Sequence, residues 1–296
     1  VKFGDFELSV VRECLFKLDG GAMFGVVPKV MWGKVAPSDE HNRVQLACNL
    51  ILVETGKKRV LIETGMGDRW SERDLERYDV KRLVDSGKVL SDLGLRNEDI
   101  DAVVISHLHF DHAGGAVRLV DGKLVPTFPN ARYFIQRGEF EHARRPNPNP
   151  RAKGSYRADD IEPLREHGAI EIIDGDFEIY PGVWCKITGG HTSHHQVVYL
   201  ESAGKKAVFF ADIIPTVNHV SPPWVMGYDH FPLQTCDLKS SWLNRAAREE
   251  WLVIFDHEPG VPWGHVKLVD ETKFVFEPLP EDSLAFRPSK RAAAAG

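Results

Sequence analysis

The sequence predicts an α/β sandwich, and three observations predict it. Short apolar runs of β type, separated by turn residues, recur through both halves of the 296-residue chain. Helical stretches lie between some of these runs, as expected of helices laid outside sheets. Several runs end in a residue of metal-ligand type, and ligands at successive strand ends converge on one edge of a sheet.

In the first half the runs are Phe6 to Phe16, Val44 to Glu54, Arg59 to Glu63 and Ala102 to Ser106, with Gly56-Lys57-Lys58 as a turn. A helix is expected from about Val80 to Leu93, where Leu83, Val84, Leu90 and Leu93 share a face and Gly94 would stop it. The second half repeats the pattern with runs at Arg132 to Gln136, Ala169 to Ile173, Trp184 to Thr188, Val197 to Glu201, Ala207 to Ala211 and Leu252 to Phe255. Helices are expected over Arg137 to Arg144, Ala158 to Glu166 and Asp237 to Arg248, the last capped by Asp237. Pro146-Asn147-Pro148-Asn149-Pro150 reads as a stiff surface loop rather than a linker, because ligand-type residues stand on both sides of it. Residues 1 to 289 are therefore expected to form one domain, and Lys290 to Gly296 a disordered end or an expression remnant.

The composition, 43% hydrophobic and 27% charged with a formal net charge of −6, is that of a globular protein without basic character. Nucleic acid and anionic membranes are excluded as expected partners, and a small neutral or weakly charged substrate fits better. Cys14, Cys48, Cys185 and Cys236 lie far apart and read as isolated thiols in or near the core. Charges run through the first residues, and no apolar run approaches the roughly 20 residues that span a bilayer. A cytoplasmic location is the expectation.

The chemistry concentrates in Ser106-His107-Leu108-His109-Phe110-Asp111-His112, followed by Gly114-Gly115, at the end of an apolar strand. Imidazole nitrogens and carboxylate oxygens suit zinc and similar divalent ions. The spacing lets His107 and His109 serve one ion while Asp111 and His112 serve a neighbour. Further ligands stand at other strand ends: His191 after Thr188-Gly189-Gly190, Asp212 after Phe209-Phe210-Ala211, and His257 after Phe255-Asp256.

Ser-His-Leu-His-Phe-Asp-His-Ala-Gly-Gly, the later Gly-Gly-His-Thr, Ala-Asp-Ile and Asp-His together resemble the metallo-β-lactamase superfamily, over residues ~5 to ~270. The resemblance implies an αββα sandwich, two mixed β-sheets packed face to face with helices outside. It implies that His107, His109 and His191 bind one ion, that Asp111, His112 and His257 bind a second, and that Asp212 bridges both. Two divalent ions are thus the expected cofactors, zinc first, with cobalt, manganese or iron also suited to these ligands. Glu63 stands where the family usually has Asp and is expected to support a ligand or a turn. The implied reaction is hydrolysis, with a metal-bridging hydroxide as nucleophile and with Asp111 and Asp212 as the catalytic carboxylates. His109 argues against the oxygen-reducing di-iron branch, which generally has a carboxylate there. The ribonuclease and glyoxalase-type branches need an inserted or appended domain for which this chain has no spare length.

Leu18 to Lys29, Trp32, Ala211-Asp212-Ile213-Ile214-Pro215-Thr216 and Pro223 to Asp229 look like the quorum-quenching N-acyl-homoserine lactonases and the related methyl parathion hydrolases. That resemblance implies a lactonase, with a phosphotriesterase or aryl esterase as the alternative and a non-catalytic metal- or ligand-binding protein behind both. Met23 and Phe24 on a Gly-rich turn, Phe110 between the ligands, and His219 are the expected contacts to an apolar acyl or aryl group. Lactonases commonly carry a Tyr three positions after the bridging Asp; Pro215 stands there, and His219 or Tyr228 is the expected substitute. His195 is expected to support a ligand, and His194 has no role. The apolar N-terminal loop makes a homodimer the expected assembly.

Overall fold

Alternation along strands buried on both faces decides the layering. In the strand Arg43–Glu54, Ile51 and Val53 face one side, Leu50 and Leu52 the other, and all four are fully buried. Such a strand needs a layer on each side. Ile51 and Val53 join Leu8, Val10 and Ile62 of their own sheet against Val198, Leu200, Phe209 and Ile254 of a second sheet. Leu50 and Leu52 face outward onto Leu90, Ile100, Ile161 and Leu164. The second sheet does the same, Val208, Val253 and Phe255 turning outward onto Leu243 and Ala246 of the helix Pro232–Arg248. The molecule is an αββα sandwich whose central core is shared by both sheets.

These layers come from a computed structural model describing residues 1–145, 154–270 and 273–280. The proline-rich segment Pro146 to Pro150 and the tail from Lys290 lie outside the described residues. The first sheet runs in the order Lys2–Phe3, Phe6–Asp19, Arg43–Glu54, Arg59–Ile62, Ala102–Val104, Arg132–Gln136 and Ile170–Ile173, with Lys81–Arg82 paired to Phe6–Asp19. It is antiparallel up to Arg59–Ile62 and parallel beyond. The second runs Phe177–Tyr180, Val183–Ile187, Gln196–Ser202, Lys205–Phe209, Leu252–Ile254, Trp263–Leu268 and Phe274–Pro278, antiparallel except between Lys205–Phe209 and Leu252–Ile254. Among the described residues, no helix is long and apolar enough to cross a membrane.

Three expected elements differ. No helix covers residues 80 to 93: Lys81–Arg82 pairs as a strand, and the 3₁₀ turns Ser86–Lys88 and Ser91–Leu93 follow. The Asp85 carboxylate accepts from the Gly87 N–H at 2.7 Å, a local turn that competes with helix in a stretch already weakened by Gly87. The third helix starts at Pro232, whose fixed φ suits a first turn, so Asp237 lies inside it rather than at its cap. Residues 158 to 166 break into a 3₁₀ turn, Ala158–Asp160, and the helix Glu162–Glu166.

Leu243 is fully buried at the seam between the helix Pro232–Arg248 and the second sheet. Leu243→Ala is expected to lower unfolding stability by about 2–5 kcal/mol, read as a lower midpoint in urea with unchanged slope.

Candidate metal centre

The strand Ala102–Val104 leads into the histidine run, which turns there because its backbone is held from two sides. Glu63, at a left-handed φ of 66°, accepts from the Ser106 N–H at 3.0 Å. The short helix Phe110–Ala113 then stacks Gly114 and Gly115 on the loop after Arg59–Ile62, where a Cβ on Gly115 would lie 2.0 Å from the Thr64 carbonyl. The ring of His107 thereby faces those of His109 and His112, with centroids 4.4 and 4.0 Å away. The second sheet contributes the loops carrying His191, Asp212 and His257. Ala211, immediately before Asp212, is buried at a φ of 46°, a left-handed conformation costing an alanine roughly 1–2 kcal/mol.

The structure brings all seven expected ligands together, each at most 7% exposed. His109 Nδ1 stands 3.0 Å from His107 Nε2 and 3.2 Å from His191 Nε2. Asp212 Oδ2 is 3.0 Å from His191 Nε2 and 3.6 Å from both His107 Nε2 and His112 Nε2, while its Oδ1 lies 3.1 Å from His257 Nε2. Asp111 faces His112 Nε2 and His257 Nε2 at 3.8 Å each. Two groups of ligand atoms result, His107, His109, His191 and Asp212 in one and Asp111, His112 and His257 in the other. His112 Nε2, His257 Nε2 and Asp212 Oδ1 are buried and have no hydrogen-bond partner among the described residues. Buried ligand nitrogens and oxygens that crowd together without completing hydrogen bonds are what a cation site leaves behind, so the residues fit a pair of divalent ions.

The sequence model of the metallo-beta-lactamase superfamily matches residues 43–282. The chain belongs to that superfamily. A probable metal-dependent hydrolase from Staphylococcus aureus superposes with a TM-score of 0.84 at 30% identity, covering 95% of this chain and 100% of that one. An N-acyl homoserine lactonase from Bacillus thuringiensis is 29% identical over 161 residues, 51% of this chain and 57% of the relative, so the match spans little more than half of that curated protein. A dizinc quorum-quenching lactonase, solved with its product N-hexanoyl-L-homoserine, shares the fold with a TM-score of 0.77 at 22% identity, covering 95% of this chain and 96% of that one. The resemblance to the lactonase branch therefore holds in sequence over about half of the chain and in fold over most of it.

Outer contacts hold four of the five imidazoles of this metallo-beta-lactamase site, His109 being the exception, with its Nδ1 turned toward His107 and His191. His191 Nδ1 pairs with Asp229 Oδ1 at 2.8 Å, His112 Nδ1 with Asp256 Oδ2 at 3.0 Å, His257 Nδ1 with the Ala47 carbonyl at 2.8 Å, and His107 Nδ1 with Ser106 Oγ at 2.9 Å. Those contacts leave Nε2 turned inward on all four rings. Glu63 Oε2 is 3.6 Å from His112 Nδ1, behind a ligand rather than among the ligands. His195 sits behind His107 at 5.3 Å between centroids, its Nδ1 on Thr188 Oγ1. Buried Glu139, not singled out by any motif, accepts from the Leu108 N–H, Tyr156 hydroxyl and Thr192 hydroxyl and so joins the two ligand loops.

The ligands floor a cavity of about 320 Å³ walled by Leu18, Met23, Phe110, Met226, Tyr78 and Tyr228, with Arg77 and His230 also lining it. Met23 and Phe110 line it; Phe24 and His219 do not. Phe24 is stacked between His219 and Trp32, centroids 4.8 and 5.2 Å away, because Asp19 caps the Gly-rich turn into the helix Gly20–Phe24. His219 Nε2 meets the Met23 carbonyl at 2.9 Å and its Nδ1 the Thr216 hydroxyl at 2.8 Å, which uses both nitrogens beneath the loop. The pair holds Met23 in the wall from behind. Pro215 gives its carbonyl to the His257 N–H, and Tyr228 reaches the cavity from another segment.

Before metal enters, burial pushes His191 down, but Asp212 and Asp229 outweigh it and hold it at about 10; His257, opposed by burial and raised by Asp256 and Asp212, stands at about 9. Both are charged at neutral pH and must lose a proton to bind an ion. Metal loading at pH 7 is therefore expected to release protons, and apparent affinity to rise with pH until about 9 to 10, as read by calorimetry in buffers of different ionisation enthalpy. Asp229→Asn, which weakens the acceptor behind His191, is expected to lower metal affinity about 10–100-fold with the fold intact.

Proposed function

We propose that the chain is a dinuclear metal-dependent lactonase that opens N-acyl-homoserine lactones. One observation carries this reading: the paired ligand set forms the floor of a cavity whose walls include the flexible apolar side chains Leu18, Met23 and Met226 beside Phe110. A lactone ring can rest at the floor while its acyl chain lies along that wall. The lactonase relatives support the same substrate class.

Divalent ions held there supply Lewis acidity toward the carbonyl and leaving oxygens and make water nucleophilic near neutral pH. The chain's own groups do the rest. Asp212, with its two oxygens facing different imidazoles, keeps the two halves of the ligand set in register. Asp111 lines the cavity, where its carboxylate can accept the proton of the attacking water and return it to the ring oxygen as the C–O bond breaks. The Tyr228 hydroxyl is the donor for the carbonyl oxygen, taking from a different segment the part Pro215 cannot play.

The rings of Phe110, Tyr78 and Tyr228 on the same cavity favour a second reading, hydrolysis of an aryl ester or aryl phosphotriester. A substrate panel at matched metal loading separates the two. Protein carrying about two metal equivalents is expected to open N-acyl-homoserine lactones faster than aryl esters or phosphotriesters; turnover of an aryl phosphotriester without lactone opening would replace the first reading by the second. Tyr228→Phe is expected to reduce kcat on the order of 10²-fold with metal content unchanged.

A further inference from the structure

Cys14 and Cys48, 34 positions apart in sequence, are cross-strand partners in the first sheet. The pairing passes from Arg12–Asn49 directly to Cys14–Cys48, so Glu13 is the extra residue of a β-bulge. In a regular strand Glu13 and Cys14 would point to opposite faces; here the Glu13 carboxylate and both sulfurs lie within 4.8 Å of one another. All three residues are at most 1% exposed. Glu13 Oε2 accepts from the Met66 N–H at 3.3 Å, whereas Oε1 has no hydrogen-bond partner among the described residues, and the guanidinium of Arg82 stops 4.0 Å short of it. Cys48 Sγ lies 3.5 Å from the Asp111 backbone carbonyl, so the cluster sits directly behind the ligand run.

We propose that Glu13, Cys14 and Cys48 form a third, separate metal site, for a borderline divalent ion of the zinc type. Two thiolates and a carboxylate are a three-ligand set of a kind zinc accepts, with the Asp111 carbonyl or a water in reach of the fourth position. The charges also close: two thiolates and a carboxylate are balanced by a divalent ion together with Arg82. A carboxylate buried by the bulge, with only the Met66 N–H donating to Oε2 and Arg82 4.0 Å from Oε1, is one that a bound cation would stabilise. Its donors are sulfur-rich, whereas the centre beneath the cavity offers only nitrogen and oxygen. The two sites therefore differ in the metals they prefer and in their spectra. Binding displaces a proton from each thiol; no oxidant or reductant is involved.

The experiment is titration of metal-free, reduced full-length protein with cobalt(II). A third equivalent is expected, accompanied by an intense near-ultraviolet sulfur-to-cobalt charge-transfer band that the nitrogen and oxygen centre cannot produce. Cys14→Ser/Cys48→Ser is expected to abolish the band and one equivalent while the weaker visible bands of the other two remain. Glu13→Gln is expected to raise the Kd of the third ion at least about tenfold, in keeping with loss of one charged ligand. Because both sulfurs are core atoms, X-ray absorption of the zinc-loaded wild type is read alongside, with sulfur scatterers expected in the zinc shell. Two equivalents with no sulfur signature, a band that survives in the double variant, or a Cys14–Cys48 disulfide as the resting state would each overturn the proposal. None of these outcomes depends on lactone turnover, so the site stands or falls separately from the proposed activity.

Discussion

Asp212 is the residue around which the rest of the molecule is arranged. One of its oxygens faces His191, His107 and His112 and the other faces His257, so a single buried carboxylate touches both groups of ligands. Burial works against its charge, and the surrounding imidazoles more than compensate, holding it well below the ordinary carboxylate range. That balance demands histidines from both sheets at one edge. Strands of the two sheets must therefore end at the same level, which the shared core between them enforces.

Convergence alone would leave the imidazoles free to rotate. Contacts behind four of the five remove that freedom: Asp229, Ser106 and the Ala47 carbonyl each pair with an Nδ1, and Asp256 stands 3.0 Å from that of His112. Asp229 is itself placed by the segment after the 3₁₀ turn Val217–Val220, where Lys239, fully buried, donates to the carbonyls of Ser221 at 3.0 Å and Trp224 at 2.5 Å. This same segment brings Met226 and Tyr228 into the cavity wall. The acceptor behind His191 and the cavity wall are thus linked through one length of backbone. Burial lowers Lys239 to about 7, the desolvation cost of pinning the loop's carbonyls with this side chain.

The opposite wall shows how a local rule redirected a functional expectation. Gly20-Gly21 reads as a flexible turn, but Asp19 caps it into a short helix, and Phe24 turns inward to stack with Trp32 and His219. Met23 alone of that pair reaches the cavity. Val26 and Val30, 91% and 76% exposed, are not among the residues that line the cavity. The loop acts as a buttressed wall rather than a loose cover.

The ligand run and the later His191, Asp212 and His257 were legible from sequence because each follows an apolar strand, and strand ends on one edge meet whatever the loops between them do. The two-sheet plan was legible because apolar β-type runs recur in both halves with helical stretches between them, whereas the burial of these strands on both faces shows only in the packed sheets. Tertiary structure alone decided which carboxylate stands behind which imidazole, since Asp229 and Asp256 reach His191 and His112 through pairings no local pattern encodes. It also decided that residues 80 to 93, helical by spacing, are held as a strand and turns, because Leu83 and Val84 donate to the Glu13 carbonyl across the sheet. The same pairing of distant strands turned two cysteines that read as isolated thiols into neighbours. Periodicity records what a segment buries; only the packed chain determines what it buries it against.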